Sequence, residues 1–249
     1  MRKPLVIAHR GFSGKFPENT HLAFLEAIAI EGCDGFEVDV HLSADSEPVI
    51  IHDYALERTT NGKGLVNALK FNELRQLDIG SWMNSKFTDE RIMHLDELLE
   101  LAIRHNKVLN IELKNYEQNY LGMEEVIINR INAMNAADCV FLSSFNHISM
   151  GLIKRIDASI RTGFLYAQPL LEAEKYAAYH GIDALHPQYN LLCLEQNLVE
   201  RAHKIGLSVH TWTVNSEADM GRFINLGVDS IITDYPDRLV EVLGQRNTL

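Results

Sequence analysis

The sequence predicts a closed (β/α)8 TIM barrel, in which eight parallel strands alternate with helices around one core. Three observations predict it. One junction recurs at Glu31-Gly32-Cys33-Asp34, His180-Gly181-Ile182-Asp183, Ile205-Gly206-Leu207-Ser208 and Leu226-Gly227-Val228-Asp229. At each, a helical pattern stops, glycine follows, then an apolar residue, then a small or polar one, then a strand. Glycine just past a helix accepts left-handed backbone, and the next apolar residue folds back on the helix. The second observation is a series of short apolar runs of strand length between these junctions. The third is the period of the segments that link them, which is helical.

In chain order, strands are expected at 5–9, 35–41, 108–114, 140–144, 161–166, 184–187, 208–214 and 230–233, with a further short strand at 49–52. Asn19 or Thr20 is the N-cap candidate for the helix running to Glu31. Leu95, Leu98, Leu99 and Ala102 fall at i, i+3, i+4 and i+7. Leu198, Val199, Ala202 and Ile205 repeat the pattern, as do Met220, Phe223 and Ile224. About 53–91 the pattern fails. That stretch is polar, carries Thr59-Thr60-Asn61-Gly62-Lys63-Gly64, and has one weak helix at 71–77. It reads as a small insertion after the second strand, lying over the barrel mouth within one domain spanning 1–249. The structural alternative is a doubly wound open sheet, which carries a glycine-rich phosphate loop after its first strand. Gly11-Phe12-Ser13-Gly14 lacks that full fingerprint.

A net charge of −11 argues against a broad nucleic-acid surface and against an anionic membrane surface. It leaves room for a small anionic substrate held by a local cation. Cys33, Cys139 and Cys193 form no CxxC pair and are odd in number, so a disulfide framework is not expected. The apolar stretch Leu5-Val6-Ile7-Ala8 is too short for a signal-peptide core, and no run is long enough for a membrane anchor. The expected compartment is the cytoplasm. Oligomeric state is not readable from the residues.

The chemistry concentrates in His9-Arg10-Gly11, Glu37-Val38-Asp39 and His52-Asp53, each at the end of a short apolar run. Barrel sites lie at the C-terminal ends of strands. Glu37 and Asp39 are two apart, so both point to one face of their strand. Asn110, Glu112 and Lys114 share a face of the next barrel strand, as do His210 and Trp212 near the chain's end. In a barrel these groups converge on one mouth. Glu37, Asp39 and Glu112 would make an all-oxygen site, which favours Mg²⁺ or Ca²⁺ over Zn²⁺. The competing reading is a buried ion-pair network with Arg10 and Lys114. Three converging acids repel one another unless a cation shares the site, which favours the metal. His9 and His52 are the proton-transfer candidates. Arg10 and Lys114 are candidates for holding phosphate oxygens or balancing the acids, and Trp212 for an apolar wall of the substrate pocket. His41 and His186 could border the pocket, and His21, His94, His105, His147, His180 and His203 read as surface residues. Together these parts suit metal-assisted hydrolysis of a phosphodiester.

The chain resembles the glycerophosphodiester phosphodiesterases of the small bacterial, soluble type. The resemblance rests on IAHRGFSGKFPENT at 7–20, GFEVDVHLSADSEPVIIHD at 35–53, RTTNGKG at 58–64, NIELK at 110–114, HTWTVN at 210–215 and ITDYPDRL at 232–239. It implies a TIM barrel with a small insertion after the second strand, and hydrolysis of glycerophosphodiesters to glycerol 3-phosphate and an alcohol. It implies that His9 and His52 are the catalytic pair, that Glu37, Asp39 and Glu112 are the metal ligands, and that Arg10 and Lys114 lie on the phosphate side. It also implies a substrate-assisted route, in which the neighbouring glycerol hydroxyl attacks and water then opens a cyclic phosphate. The residues alone leave direct water attack open, and do not say which histidine is the first base. Two positions depart from the family: Ser43 stands where threonine is common, and Ser46 where glycine is common. Two rivals are a lysophospholipase D acting on lipid head groups, which would want an apolar rim, and a non-catalytic phosphodiester-binding barrel, which would have lost a histidine or metal ligand.

Overall fold

A computed structural model describes residues 3–118 and 120–246. Among the described residues nine strands form: β1 (Leu5–His9), β2 (Gly35–Leu42), β3 (Pro48–Ile50), β4 (Val108–Leu113), β5 (Val140–Ser144), β6 (Arg161–Tyr166), β7 (Ala184–Pro187), β8 (Ser208–Thr211) and β9 (Ser230–Thr233). Eight of them make a closed parallel ring in the order β1-β9-β8-β7-β6-β5-β4-β2, and β1 pairing with β2 completes it. β3 lies outside the ring, antiparallel to the last residues of β2. The fold is therefore the TIM barrel that the sequence predicts.

The helices pack outside the ring, and their apolar faces explain where they sit. Leu95, Leu98, Leu99 and Ala102 of the helix Leu95–Arg104 are all buried. Each such leucine contributes about 1.5–3 kcal/mol by leaving water. Thr20 caps the first helix, His21–Ile28, by accepting from Ala23 N at 3.2 Å. Such a cap is worth about 1 kcal/mol. Asn19, the other cap candidate, takes a left-handed backbone and turns its side chain to Asp39 instead.

The four predicted glycine junctions all have positive φ, at 93° (Gly32), 70° (Gly181), 81° (Gly206) and 82° (Gly227). Two further junctions use asparagine: Asn106 at 50° and Asn135 at 53°. The closing bond is the same in both kinds. Lys107 N donates to Ala102 O (2.8 Å) and Ala136 N to Ile131 O (2.9 Å), as Ile182 N does to Ala177 O (3.0 Å). Asparagine tolerates this conformation and so substitutes for glycine. Gly32 differs, because its helix ends at Ile28 rather than running to Glu31.

The hairpin from β2 to β3 turns through Ala44, Asp45 and Ser46. Ser43 N donates to Glu47 O at 3.0 Å, and Ser46 has φ 62°. A three-residue turn of this kind requires left-handed backbone at its last position. That accounts for the common glycine there, which this chain replaces with serine. The segment that follows is polar outside but carries a small core of its own, built from Val49, Ile51, Leu56, Val66, Leu74, Ile79 and Ile92. Its helix is shorter than expected, Phe71–Leu74.

Candidate active site

Strand register brings the acids together. His9 is the partner of Glu37 across β1 and β2, and Asp39 is the partner of Glu112 across β2 and β4. Glu37, Asp39 and Glu112 each offer a carboxylate oxygen, and these oxygens all lie within 4.8 Å of one another. Asp39 is fully buried, and Oδ1 has no hydrogen-bond partner. Burial first, then repulsion from Asp39 and Glu112, pushes the Glu37 carboxyl well above the usual carboxylate range. Burial would raise Asp39 too, but Arg10 and Lys114 overcome it and hold Asp39 far below that range.

The two cations sit among these acids. Lys114 Nζ lies 2.8 Å from Glu112 Oε1 and 3.6 Å from Asp39 Oδ1. Arg10 Nη1 donates to Glu18 Oε1 at 2.9 Å. Arg10 Nε is 3.0 Å from Asp39 Oδ2, an ion pair without hydrogen-bond alignment. Asn19 Nδ2 donates to the same Asp39 oxygen at 3.0 Å. Arg10 itself has φ 55°, and its N–H donates to Glu37 O at 2.9 Å. A bulky residue in left-handed backbone is strained, and such strain gathers at functional sites.

Each proposed histidine faces a carboxylate through Nδ1. For His9 the partner is Asp234 Oδ1 at 2.6 Å, from the loop after β9. For His52 it is the adjacent Asp53 Oδ1, also at 2.6 Å. An ionised carboxylate only accepts, so Nδ1 carries the hydrogen in both rings and Nε2 is left for other work. His9 Nε2 lies 3.8 Å from Glu37 Oε2. Burial raises Asp234, but hydrogen bonds from His9, Asn215 and Ser13 hold it at about 2. Asp53 is likewise at about 2, its burial overcome by hydrogen bonds from Arg58 and His52.

One cavity of about 480 Å³ opens over these groups. His9, Arg10, His52, Asp53, Glu112 and Lys114 are among its polar lining. Trp212, Phe145 and Tyr116 form an aromatic wall, with ring centroids 5.6 Å apart for Phe145 and Trp212 and 5.8 Å for Tyr116 and Phe145. Trp212 is held in place by Nε1–H donating to His186 O at 2.7 Å. All eight sequence-predicted site residues thus border this cavity or the acid cluster beneath it.

Several expectations need correction. His210 shares a strand face with Trp212 but not its depth. It lies a layer lower, buried, with its ring 4.8 Å from that of His186. Asn110 lines the floor beside Glu37 rather than the mouth. His94 is not a surface residue: it caps the helix Leu95–Arg104 and pairs with Glu47. His147 stacks on Phe164 at 4.0 Å and donates to Leu165 O. His41 does not line the cavity but lies buried behind His52. Its Nε2–H donates to His52 O at 3.0 Å and its Nδ1 accepts from Tyr120 Oη at 2.9 Å, so it braces the backbone of His52.

The sequence reading assigned no role to Asp234, Asp53, Glu18 or Arg58. All four lie inside the family motifs, Glu18 in IAHRGFSGKFPENT, Asp53 in GFEVDVHLSADSEPVIIHD, Arg58 in RTTNGKG and Asp234 in ITDYPDRL, but nothing in a single sequence says which histidine a distant aspartate meets.

Comparison with known proteins identifies the family. The sequence profile of the Glycerophosphoryl diester phosphodiesterase family matches residues 9–238. A glycerophosphodiester phosphodiesterase of Caldanaerobacter subterraneus subsp. tengcongensis is 41% identical over 97% of this chain and 98% of its own. One from Bacillus altitudinis is 35% identical over 95% of this chain and 97% of its own. Among solved structures, an Oleispira antarctica phosphodiesterase in complex with the product sn-glycerol-3-phosphate superposes with a TM-score of 0.88. It is 31% identical, covering 97% of each chain. With the profile matched across the barrel and relatives of this similarity aligned almost end to end, the chain belongs to the glycerophosphoryl diester phosphodiesterase family.

Proposed function

We propose that this protein hydrolyses glycerophosphodiesters to glycerol 3-phosphate and an alcohol, using a divalent cation and two histidines. The observation that carries this reading is the pairing of His9 and His52 with Asp234 and Asp53 at one cavity, above three buried or nearly buried acids. Each carboxylate fixes its ring so that Nε2 is the atom free to exchange a proton. A neutral ring would deprotonate the attacking hydroxyl at Nε2, and a protonated ring would give a proton to the leaving alkoxide. The two rings are oriented alike, so geometry supports both roles for either.

The donor set fits a hard cation such as Mg²⁺ or Ca²⁺. Ionised, as ligands to a cation would be, Glu37, Asp39 and Glu112 would set three negative charges against the two positive ones on Arg10 and Lys114. One negative charge is left over, and Asp39 keeps an unpartnered buried oxygen. A divalent ion held there would turn the balance to one positive charge, which suits a phosphodiester monoanion, and would supply Lewis-acid stabilisation of the phosphoryl oxygens. Lys114 and Arg10 add fixed positive charge at the same wall of the cavity, where burial strengthens it. The aromatic wall of Trp212, Phe145 and Tyr116 suits the carbon skeleton of the substrate.

A second reading, head-group cleavage of lysophospholipids, is favoured by one feature. Leu121, Ile148, Leu171 and Leu194 are strongly exposed, and they lie in the segments after β4, β5, β6 and β7, at the end of the barrel that carries the cavity. No helix among the described residues is long and apolar enough to cross a membrane.

The test is release of glycerol 3-phosphate from glycerophosphocholine, glycerophosphoethanolamine and glycerophosphoglycerol, with lysophosphatidylcholine alongside. Turnover should be lost with EDTA and restored by Mg²⁺ or Ca²⁺. No release from any glycerophosphodiester would overturn the substrate assignment, and full activity in demetallated protein would overturn the metal. Faster cleavage of the lysolipid than of any water-soluble diester would favour the second reading.

A further inference from the structure

We infer that Arg58 is a positioning residue, which clamps the carboxylate partner of His52 to the carboxylate partner of Arg10 and so holds the two sides of the site in register. The motif around it, RTTNGKG, has no part in the reaction as read so far, and Arg58 does not line the cavity. Its guanidinium nonetheless makes two bonds to each of two acids. Nε and Nη2 donate to Asp53 Oδ2 and Oδ1, at 2.5 and 3.0 Å. Nη1 and Nη2 donate to Glu18 Oε2 and Oε1, at 2.9 and 2.7 Å. Asp53 Oδ1 is the oxygen that faces His52 Nδ1, and Glu18 Oε1 is the oxygen that accepts from Arg10. A continuous chain of polar contacts therefore runs from His52 through Asp53, Arg58, Glu18 and Arg10 to Asp39.

The chain has a physical consequence. Without a cation between them, Glu18 and Asp53 would repel, and His52 sits on a loop outside the barrel ring. A ring on a loop keeps its aim only if its partner is fixed. Arg58 fixes that partner with a planar fork that matches both carboxylates at once. Lysine offers a point charge on a flexible stem and cannot bridge both in this way. The side chain is nearly half exposed, so its loss opens no cavity in the barrel core. Other ion pairs of the same segment, such as Arg75 with Glu97, touch no residue of the site.

This inference rests on the two-histidine reading, and its test keeps the two apart. Arg58→Lys, Arg58→Ala, Asp53→Asn, the Arg58→Lys/Asp53→Asn double variant and His52→Ala would be assayed with metal present, with Arg75→Ala as the control. Loss of a group that orients a reacting one costs about 10- to 100-fold. Arg58→Lys and Arg58→Ala should lower kcat by that factor while KM stays within about threefold. The double variant should lose little beyond the worse single one, because both act through one ring. Arg75→Ala should match the parent enzyme. If Arg58→Ala does not fold, Arg58→Lys keeps the stem and charge and carries the test. Parent-level kcat in Arg58→Lys, a loss confined to KM, or losses that multiply in the double variant would overturn the clamp. Were the two-histidine reading itself wrong, His52→Ala would keep its kcat. Were the clamp alone wrong, His52→Ala would be impaired and the Arg58 variants would not.

Discussion

His9 Nδ1 lies 2.6 Å from Asp234 Oδ1, so a residue ending the first barrel strand is oriented by one from the loop after the last. Ring closure, which sets β1 against β9, is what makes this contact possible. The relationship ties the fold to the chemistry. A barrel left open between these strands would keep both residues and lose their pairing.

Asp234→Asn should therefore impair turnover without unfolding the protein. An amide can turn its NH₂ toward Nδ1, which moves the ring hydrogen to Nε2 and removes the free lone pair there. The expected loss in kcat is about 10²-fold, the scale of a lost general acid or base, with a far smaller change in KM. Steady-state kinetics on a glycerophosphodiester, with circular dichroism as the fold control, would check it.

The same carboxylates set an acid limit. Asp53 and Asp234 are held at about 2 in the folded protein, against an ordinary value of 3.8. A depressed folded value means stabilisation that is complete above the ordinary value and lost as pH falls through the folded one. Thermal melting should thus drop steeply from near pH 4 to pH 2, and Asp234→Asn should flatten that drop. An equal slope in parent and variant would show that the pair adds no stability.

Glu112→Gln and Asp39→Asn should both weaken binding of Mg²⁺ or Ca²⁺, but they should differ in stability. Glu112 is at the cavity edge, with a side chain 12% exposed, and its loss leaves Lys114 still near Asp39. Asp39 is fully buried and is the partner of Arg10, Lys114 and Asn19. Removing its charge takes a buried counter-charge from Arg10 and Lys114 and leaves them Glu18 and Glu112; breaking a buried pair costs about 3–5 kcal/mol, less where other partners remain. Metal titration by calorimetry and melting curves of both variants would separate the effects.

Ser46→Gly should stabilise the protein. Ser46 has φ 62° in the β2–β3 turn, and left-handed backbone costs a residue with a side chain roughly 1–2 kcal/mol. The greater freedom of glycine in the unfolded chain offsets part of this, leaving a gain of about 0.5–1 kcal/mol. A chain of this size should melt roughly 1–4 °C higher. Activity should not change, because the turn touches no site residue.

Local chemistry made much of this legible in the sequence. The spacing of Glu37 and Asp39 fixes their common face, and the glycine junctions announce a parallel β/α repeat. Asn106 and Asn135 hid two more junctions, because asparagine signals a left-handed cap less plainly than glycine. The period of two put His210 and Trp212 on one face but could not give depth, and depth decides which of them meets the cavity. Asp234 with His9, and Glu18 with Arg58, are contacts between distant segments, set by ring closure and by the path of the 53–91 loop. His94 and His147 looked like surface residues because capping and ring stacking leave little trace in hydrophobic periodicity.

The central claim is that His9 and His52 divide the proton transfers between them. The most direct test compares kcat of His9→Ala and His52→Ala on glycerophosphocholine and on a glycerophosphodiester with a nitrophenyl leaving group. An activated aryl leaving group needs little protonation, whereas the attacking hydroxyl is the same in both substrates. Both variants should fall by roughly 10²-fold or more on the choline diester. On the nitrophenyl diester one of them, the variant lacking the acid, should recover most of its loss, while the other stays impaired. Choline-diester rates within severalfold of the parent in both variants would contradict the account and leave the two histidines as structural residues.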